Sequence, residues 1–338
     1  MAEFRPSNVL VTGGAGFIGC NFVRYMLASD PDVRIINLDL LTYAGSLENL
    51  KNLPSESRYQ FVQGDICNRD LVDHLLREHA IDTIVHFAAE SHVDNSISDP
   101  EVFVKTNVMG TFTLLDAARD YWQQEKRWGA DECRFHHIST DEVYGTLEKS
   151  DPAFSESTPY APNSPYSASK AGSDHLVRAY FHTYDLPVTT TNCSNNYGPY
   201  QHSEKLIPTI ISNCINQSPI PVYGDGSNIR DWLYVEDHCS GIEAVIRRGQ
   251  LGETYNIGGI NEWANIDIVR CICGLMDEKY PTNAPHEALI SYVKDRPGHD
   301  WRYAIDAEKM RFKLNWSPVE TFETGIRKTV EWYLNQQD

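Results

Sequence analysis

The chain has no CxxC pair among its 8 cysteines, no apolar run of membrane-spanning length and little positive charge, with 29 Lys and Arg against 47 Asp and Glu. Each shortage excludes a class of protein. Scattered thiols argue against a disulfide framework or a zinc ribbon. Cys271-x-Cys273 falls in a helical pattern, where adjacent thiolates do not readily share a metal. Reduced, mostly buried thiols and no bound metal are expected. No stretch approaches the ~20 apolar residues of a spanning helix. Met1-Ala2-Glu3-Phe4-Arg5-Pro6 also lacks the apolar core of a signal peptide. A cytoplasmic protein without membrane contact is expected. A net charge of −18 disfavours nucleic acid and acidic membrane surfaces as partners. The same field means that any anionic ligand needs local cations or helix N-termini to hold it.

What is present is a regular alternation. Apolar, β-branched runs at Val9-Leu10-Val11, residues 34–38, Phe61-Val62, residues 83–87, residues 136–138 and residues 188–191 alternate with helical patterns near 17–29, 68–79, 99–121 and 165–184. Near-continuous apolar strands separated by helices imply a parallel sheet covered on both faces. The fold class is therefore α/β: a doubly wound parallel-sheet Rossmann domain over residues 1–194, followed by a smaller C-terminal α/β substrate domain over 195–338. Parts of 228–258, Leu233-Tyr234-Val235 among them, are expected to return to the first domain. After Ser194 the pattern is punctuated by Pro and Gly, with helices near 265–279 and 320–336.

The first helical pattern opens on Gly13-Gly14-Ala15-Gly16-Phe17-Ile18-Gly19, directly after the first strand. Glycine is needed where the turn is tight, where backbone meets a pyrophosphate and where helix packs on strand. Strand before and helix after make Gly13, Gly16, Phe17, Ile18 and Gly19 a dinucleotide fingerprint rather than a bare loop. Asp39 ends the second strand. A carboxylate there accepts hydrogen bonds from the adenosine ribose and repels a 2′-phosphate, which favours NAD over NADP. Asp65-Ile66 is expected beside the adenine, and Phe87-Ala88-Ala89 where the backbone passes close to the cofactor.

Tyr166 and Lys170 are four residues apart and project from one helical face. A neighbouring ammonium favours tyrosinate and would lower the Tyr pKa, making a base usable near neutral pH. About two dozen residues earlier, an apolar run ends in Thr140-Asp141-Glu142. This triplet brings a hydroxyl and two carboxyl groups to a strand end. Of two such carboxyls, one can donate a proton while its neighbour accepts one.

With these motifs the chain resembles the extended short-chain dehydrogenases/reductases that modify nucleotide sugars, and within them the dTDP-glucose 4,6-dehydratase family. The carrying segments are Thr12 to Gly19, Ala88 to Asp94, Thr140 to Gly145, Tyr166 to Lys170, Cys193 to Tyr200, Glu204 to Pro208, Arg230-Asp231-Trp232 and Asp295 to His299. The resemblance implies that Tyr166, assisted by Lys170, takes the proton of a sugar 4-hydroxyl while NAD takes the C4 hydride. Glu142 would then remove the C5 proton, Asp141 would protonate the departing C6 hydroxyl, and Thr140 would hydrogen-bond the 4-oxygen. It further implies NAD contacts at Thr106 and Asn196, and substrate contacts at Ser91, Asn195, Lys205, Leu206, Tyr223, Arg230, Asn265, Arg296 and His299. The nucleotide-sugar substrate would be dTDP-glucose, and the assembly a homodimer packed through helices near 99–121 and 165–184. Another nucleotide hexose such as UDP-glucose, a 4-epimerase needing only NAD and the Tyr-Lys pair, and a non-catalytic NAD-sensing protein stay open as alternatives. Three positions depart from the family pattern: Asn95, His202-Ser203 and Trp301.

Overall fold

The computed structural model describes residues 3–295 and 300–336. β1 (Asn8–Thr12) is buried along nearly its whole length, and a strand with no wet face needs cover on both sides. The chain continues through α1 (Phe17–Ser29), β2 (Arg34–Asp39), β3 (Tyr59–Gln63), α2 (Arg69–Glu78), β4 (Thr83–His86), α3 (Val93–Ser98), α4 (Pro100–Phe103), α5 (Thr111–Arg119), β5 (Arg134–Thr140), α6 (Pro165–Tyr184) and β6 (Val188–Cys193). Then follow β7 (Asn195–Tyr197), α7 (Leu206–Ile215), β8 (Ile220–Tyr223), β9 (Ile229–Tyr234), α8 (Val235–Arg248), β10 (Thr254–Ile257), β11 (Glu262–Ala264), α9 (Asn265–Lys279), β12 (Ile290–Val293), α10 (Glu308–Leu314) and α11 (Phe322–Leu334).

Seven parallel strands form one sheet in the order β3-β2-β1-β4-β5-β6-β10. The chain winds outward from β1 in one direction and then, from β4, in the other. The crevice at this switch point, beyond the strands' C-terminal ends, is where ligands bind in such sheets. One face is closed by α1, α8 and α10 around residues such as Phe22, Ile242 and Met310. The other is closed by α2, α5 and α6 around Leu114, Trp122 and Val177. Each such side chain stabilises the fold by roughly 1.5–3 kcal/mol on burial. β10, late in the sequence, completes the far edge of the large sheet. β9, which carries Leu233 and Tyr234, instead pairs with β7 and β11, and a further small sheet joins β8 to β12.

Two local features position the site. α6 starts sharply because Ser164 and Ser167 form a reciprocal capping box and Pro165 occupies its first turn. Tyr166 therefore sits in the first turn and Lys170 one turn on. The helix expected near 99–121 is not uniform. It starts at Pro100, and Val104–Gly110 widens into π-helical geometry before α5. Gly110 allows the close approach there, since a Cβ would stand 2.3 Å from Ile66 Cδ1. This widening lies beside the ligand crevice, in keeping with the association of π-bulges with functional sites.

Candidate active site

After β1 the chain turns through Gly13 at φ +74, a left-handed conformation, and a Cβ there would lie 2.6 Å from Ala88 N. At Gly19 a Cβ would lie 2.3 Å from Gly13 O. Protein packing alone demands these two glycines. Gly16 differs: its φ is −78, and a Cβ would come no nearer than 3.4 Å to protein atoms. The room it leaves faces the cavity at the start of α1. That start has no side-chain cap, so its leading N–H groups remain for an anion.

Asp39 holds this loop from β2. Its two oxygens accept from Ala15 N at 2.9 Å and from Leu41 N at 2.8 Å. Burial raises its carboxyl above the ordinary range, and these two bonds oppose the rise. Each oxygen keeps a second lone pair for a ribose hydroxyl. A second anchor, missed in the sequence, is Asn37, whose Oδ1 accepts from Gly14 N at 3.0 Å while its Nδ2 donates to Tyr59 OH at 2.9 Å. The cradle, the open helix start and Asp39 together fit a dinucleotide such as NAD.

β5 delivers Thr140, and Asp141–Tyr144 follow as a single tight helical turn. Thr140 Oγ1 accepts from Glu142 N at 3.3 Å and donates to Asp141 Oδ1 at 3.4 Å. Asp141 is 3% exposed, and its Oδ2 has no hydrogen-bond partner among the described residues. Burial, then the charges of Glu142 and Asp231, push its carboxyl well above the ordinary range. The environment favours the acid form.

The structure corrects one expectation about the Tyr-Lys pair. Burial, then the Glu142 charge, push Tyr166 well above the ordinary phenol pKa, and a hydrogen bond with Thr140 offsets this in part. Lys170 Nζ donates to Ile138 O at 2.8 Å, and burial lowers its pKa. Desolvation of the phenol and the nearby carboxylate therefore oppose its ionisation.

Every residue expected to hold the cofactor lines one cavity of about 350 Å³, and Ser91, Thr140, Asp141, Glu142, Asn195 and Lys205 line it too. A smaller cavity of about 150 Å³ shares Glu142 and Asn195 and adds Arg230, Asp300 and Tyr303. The Arg230 guanidinium lies 4.5 Å over the Tyr303 ring and donates to Asp300 O at 2.9 Å. The remaining expected substrate residues are dispersed. Leu206 packs beside the core of the second half, and Tyr223 is exposed at the end of β8. Asn265 opens α9 with its Oδ1 buried and unpartnered among the described residues. Arg296 and His299 lie outside the described residues.

Sequence reasoning also missed Tyr43, Glu90 and His202, which line the larger cavity, and Asn107 behind its wall. Asn107 Oδ1 accepts from Glu90 N at 2.9 Å, and its Nδ2 donates to Glu90 O at 3.0 Å and Ser169 Oγ at 2.8 Å. Ser169 Oγ donates in turn to Tyr166 O at 2.7 Å, which ties the wall to the catalytic helix. An amide inside an apolar helical pattern was the one signal available. Among the described residues no His, Cys, Asp and Glu cluster could hold a metal, and no helix is long and apolar enough to cross a membrane.

A dinucleotide cradle facing a Tyr-Lys helix at the switch point of a doubly wound sheet defines an extended short-chain dehydrogenase/reductase. The family model described as GDP-mannose 4,6 dehydratase matches residues 10–329. A dTDP-glucose 4,6-dehydratase of Xanthomonas campestris pv. campestris (strain B100) is 57% identical over 330 residues, covering 97% of this chain and 93% of that protein. Crystallised dTDP-glucose 4,6-dehydratases with NAD are similar throughout. The Streptomyces venezuelae enzyme has TM-score 0.87 and 46% identity, covering 98% of each chain. The Bacillus anthracis enzyme has TM-score 0.86 and 48% identity, covering 98% of this chain and 97% of that one. The chain belongs to the dTDP-glucose 4,6-dehydratase family. A UDP-glucose 4-epimerase of Thermotoga maritima reaches TM-score 0.86 at 24% identity, over 98% of this chain and 100% of that one. The fold is therefore shared with an epimerase.

Proposed function

We propose that this chain is an NAD-dependent dTDP-glucose 4,6-dehydratase, which oxidises the hexose at C4, removes water across C5–C6 and yields dTDP-4-keto-6-deoxyglucose. The observation that carries this reading is one cavity wall bearing Thr140, Asp141, Glu142 and Tyr166, with Asp141 biased toward its acid form. NAD, when bound, supplies a hydride acceptor at C4, a hydride donor at C6 and a positive charge that favours ionised Tyr166. Tyr166 accepts the proton of the 4-hydroxyl, supported by the Lys170 ammonium, and Thr140 hydrogen-bonds the 4-oxygen. The 4-ketone acidifies the C5 proton, because the resulting carbanion delocalises as an enolate. Glu142 removes that proton. Asp141 protonates the 6-hydroxyl, which leaves as water, and a proton returns to C5 as C6 is reduced. Arg230, Lys205, Arg296 and His299 offer cations to the diphosphate, with Ser91, Asn195, Leu206, Tyr223 and Asn265 about the sugar, ribose and base.

The test is incubation of the purified protein and NAD with dTDP-glucose, with UDP-, GDP- and CDP-glucose in parallel, followed by mass spectrometry. Loss of one water, fastest from dTDP-glucose, is the expected result. No loss from any of them would sink the proposal, and faster loss from UDP-glucose would reassign the base.

The working unit is a cytoplasmic homodimer, packed through the π-helical stretch, α5 and α6. Val104, Met109, Phe112 and Tyr184 stay exposed on these elements, an apolar set that a second copy would cover. Phe112→Glu should halve the mass measured by light scattering, and an unchanged mass would move the interface elsewhere. The chain divides functionally near 194, the first part holding NAD and the remainder mainly the nucleotide sugar.

A further inference from the structure

β5 and β6 are buried at every position, yet they read Arg-Phe-His-His-Ile-Ser-Thr and Val-Thr-Thr-Thr-Asn-Cys. Buried polar side chains are retained where they satisfy one another: His136 pairs with Thr189 and Thr191, while His137 and Ser139 converge on one carboxylate. Asp174 lies one turn beyond Lys170 on the same face of α6, with 6% exposure against 4% for the lysine. Its Oδ2 accepts from Ser139 Oγ at 2.8 Å and Tyr160 OH at 3.0 Å, and its Oδ1 from His137 Nε2 at 3.0 Å. An outer ring holds Tyr160 in turn. Asn192 Nδ2 donates to Tyr160 OH at 3.3 Å and to Tyr144 OH at 2.9 Å, and Tyr144 OH donates to Asn256 Oδ1 on β10 at 2.9 Å.

We infer that Asp174 is a positioning residue of the dehydratase reaction: fixed by Ser139, Tyr160 and His137, it keeps buried Lys170 charged behind Tyr166. The inference rests on the reading given under Proposed function. A buried amine away from water tends to lose its proton, and the dipole of Ile138 O does not replace a counter-charge. Asp174 supplies that charge. It opposes the desolvation that lowers Lys170.

The surroundings leave this role to Asp174. His137 is held at about 4 by burial and by the Lys170 charge, so it is neutral and donates Nε2–H without cancelling the carboxylate. On β4, His86 stands with its ring 5.4 Å from that of His137 and is likewise pushed well below its ordinary value. Cys193 on β6 is pushed up to about 12, and burial raises the phenols of Tyr144 and Tyr160. These five groups are neutral near physiological pH, which leaves Asp174 as the charge that opposes the desolvation of Lys170.

The test is the Asp174→Asn variant, read in two ways. Lysine 13Cε NMR follows the Lys170 signal, assigned by its loss in Lys170→Met, through a pH titration. The kcat profile on dTDP-glucose is measured in parallel. Lys170 acts charged and Asp174 raises its pKa, so removing Asp174 should lower the Lys170 midpoint by about one pH unit or more. The alkaline limb of kcat should move down with it, so that activity above the new midpoint falls about tenfold. Asp174→Glu should restore both. An unmoved Lys170 midpoint, or a moved midpoint with an unmoved limb, overturns the inference. Should Asp174→Asn not fold, Asp174→Ser removes the same charge with a smaller polar side chain. It must shift the same signal downward, and no shift again overturns the inference. A wild-type protein inactive on dTDP-glucose would instead sink the dehydratase reading, while the Lys170 titration still decides the role of Asp174.

Discussion

Asp141→Asn should separate oxidation from dehydration. The variant keeps Tyr166, Lys170 and Glu142, so the 4-hydroxyl can still be oxidised and the C5 proton still removed. What it lacks is a proton for the departing 6-hydroxyl, and positioned general acids contribute roughly 10²–10⁴-fold. Loss of water should therefore slow by at least about 100-fold. Single-turnover mass spectrometry should find a hexose two hydrogens lighter that still carries its 6-hydroxyl. In deuterium oxide that hexose should exchange its C5 proton, because Glu142 remains. Glu142→Gln should give the opposite result, an oxidised hexose without exchange. Full dehydratase activity in either variant would leave that carboxyl no more than a turn cap, whereas 4-epimerisation that neither substitution slows would favour an epimerase.

The same substitution has a stability consequence of known sign. The Asp141 pKa is raised in the folded protein, chiefly by burial. Between the unfolded value and the folded one, the folded state holds a proton that the unfolded state releases. Stability conferred below the unfolded pKa is thus lost as pH rises across that window, at about 1.4 kcal/mol per pH unit. An asparagine does not titrate, so Asp141→Asn should remove this slope. Denaturant melts at pH 5 and pH 7 should show a smaller difference between the two conditions in the variant than in wild type. A site that loses its chemistry while the fold gains stability is the usual exchange at a strained catalytic position.

How far the site was legible in the sequence follows from the range of its interactions. Gly13 to Gly19, Asp39 and the Tyr166–Lys170 pair are local patterns on one turn or one helix face, and their reading needed no tertiary contact. Thr140-Asp141-Glu142 was legible as a strand end for the same reason. Asn37 and Asn107 were not, because each acts on backbone brought to it by the fold: Gly14 for the one, Glu90 for the other. Asp174 was invisible for a related reason, as its donors come from β5 and from a loop before α6. The pKa of Tyr166 was misread because a neighbouring lysine is legible in sequence and desolvation is not. The π-helical stretch near Thr106, which ends where Gly110 lies against Ile66, is not something that periodicity alone reveals.

The second large effect concerns the glycines, which sequence treats as equivalent and geometry does not. Gly13→Ala should destabilise the fold: a left-handed φ costs ~1–2 kcal/mol, and overlap with Ala88 adds roughly 1–3 kcal/mol. Its melting temperature should fall by several degrees whether or not NAD is present. Gly16→Ala meets no such obstacle, with φ −78 and 3.4 Å to the nearest protein atom. Gly16 is the N-cap of α1, where alanine is less favoured than glycine, a cost of about 0.5 kcal/mol. The variant should melt within about a degree of wild type. Its Cβ occupies the approach to the leading N–H groups of α1, the place where a pyrophosphate gains both hydrogen bonds and the helix dipole. NAD affinity measured by calorimetry should therefore drop by about 100-fold, since displacing the ligand by even one ångström forfeits two charge-assisted hydrogen bonds of ~1.5 kcal/mol each. A Gly16→Ala protein that binds NAD as tightly as wild type would show that the pyrophosphate lies elsewhere, and the cradle would have to be redrawn around Asn37 and Asp39.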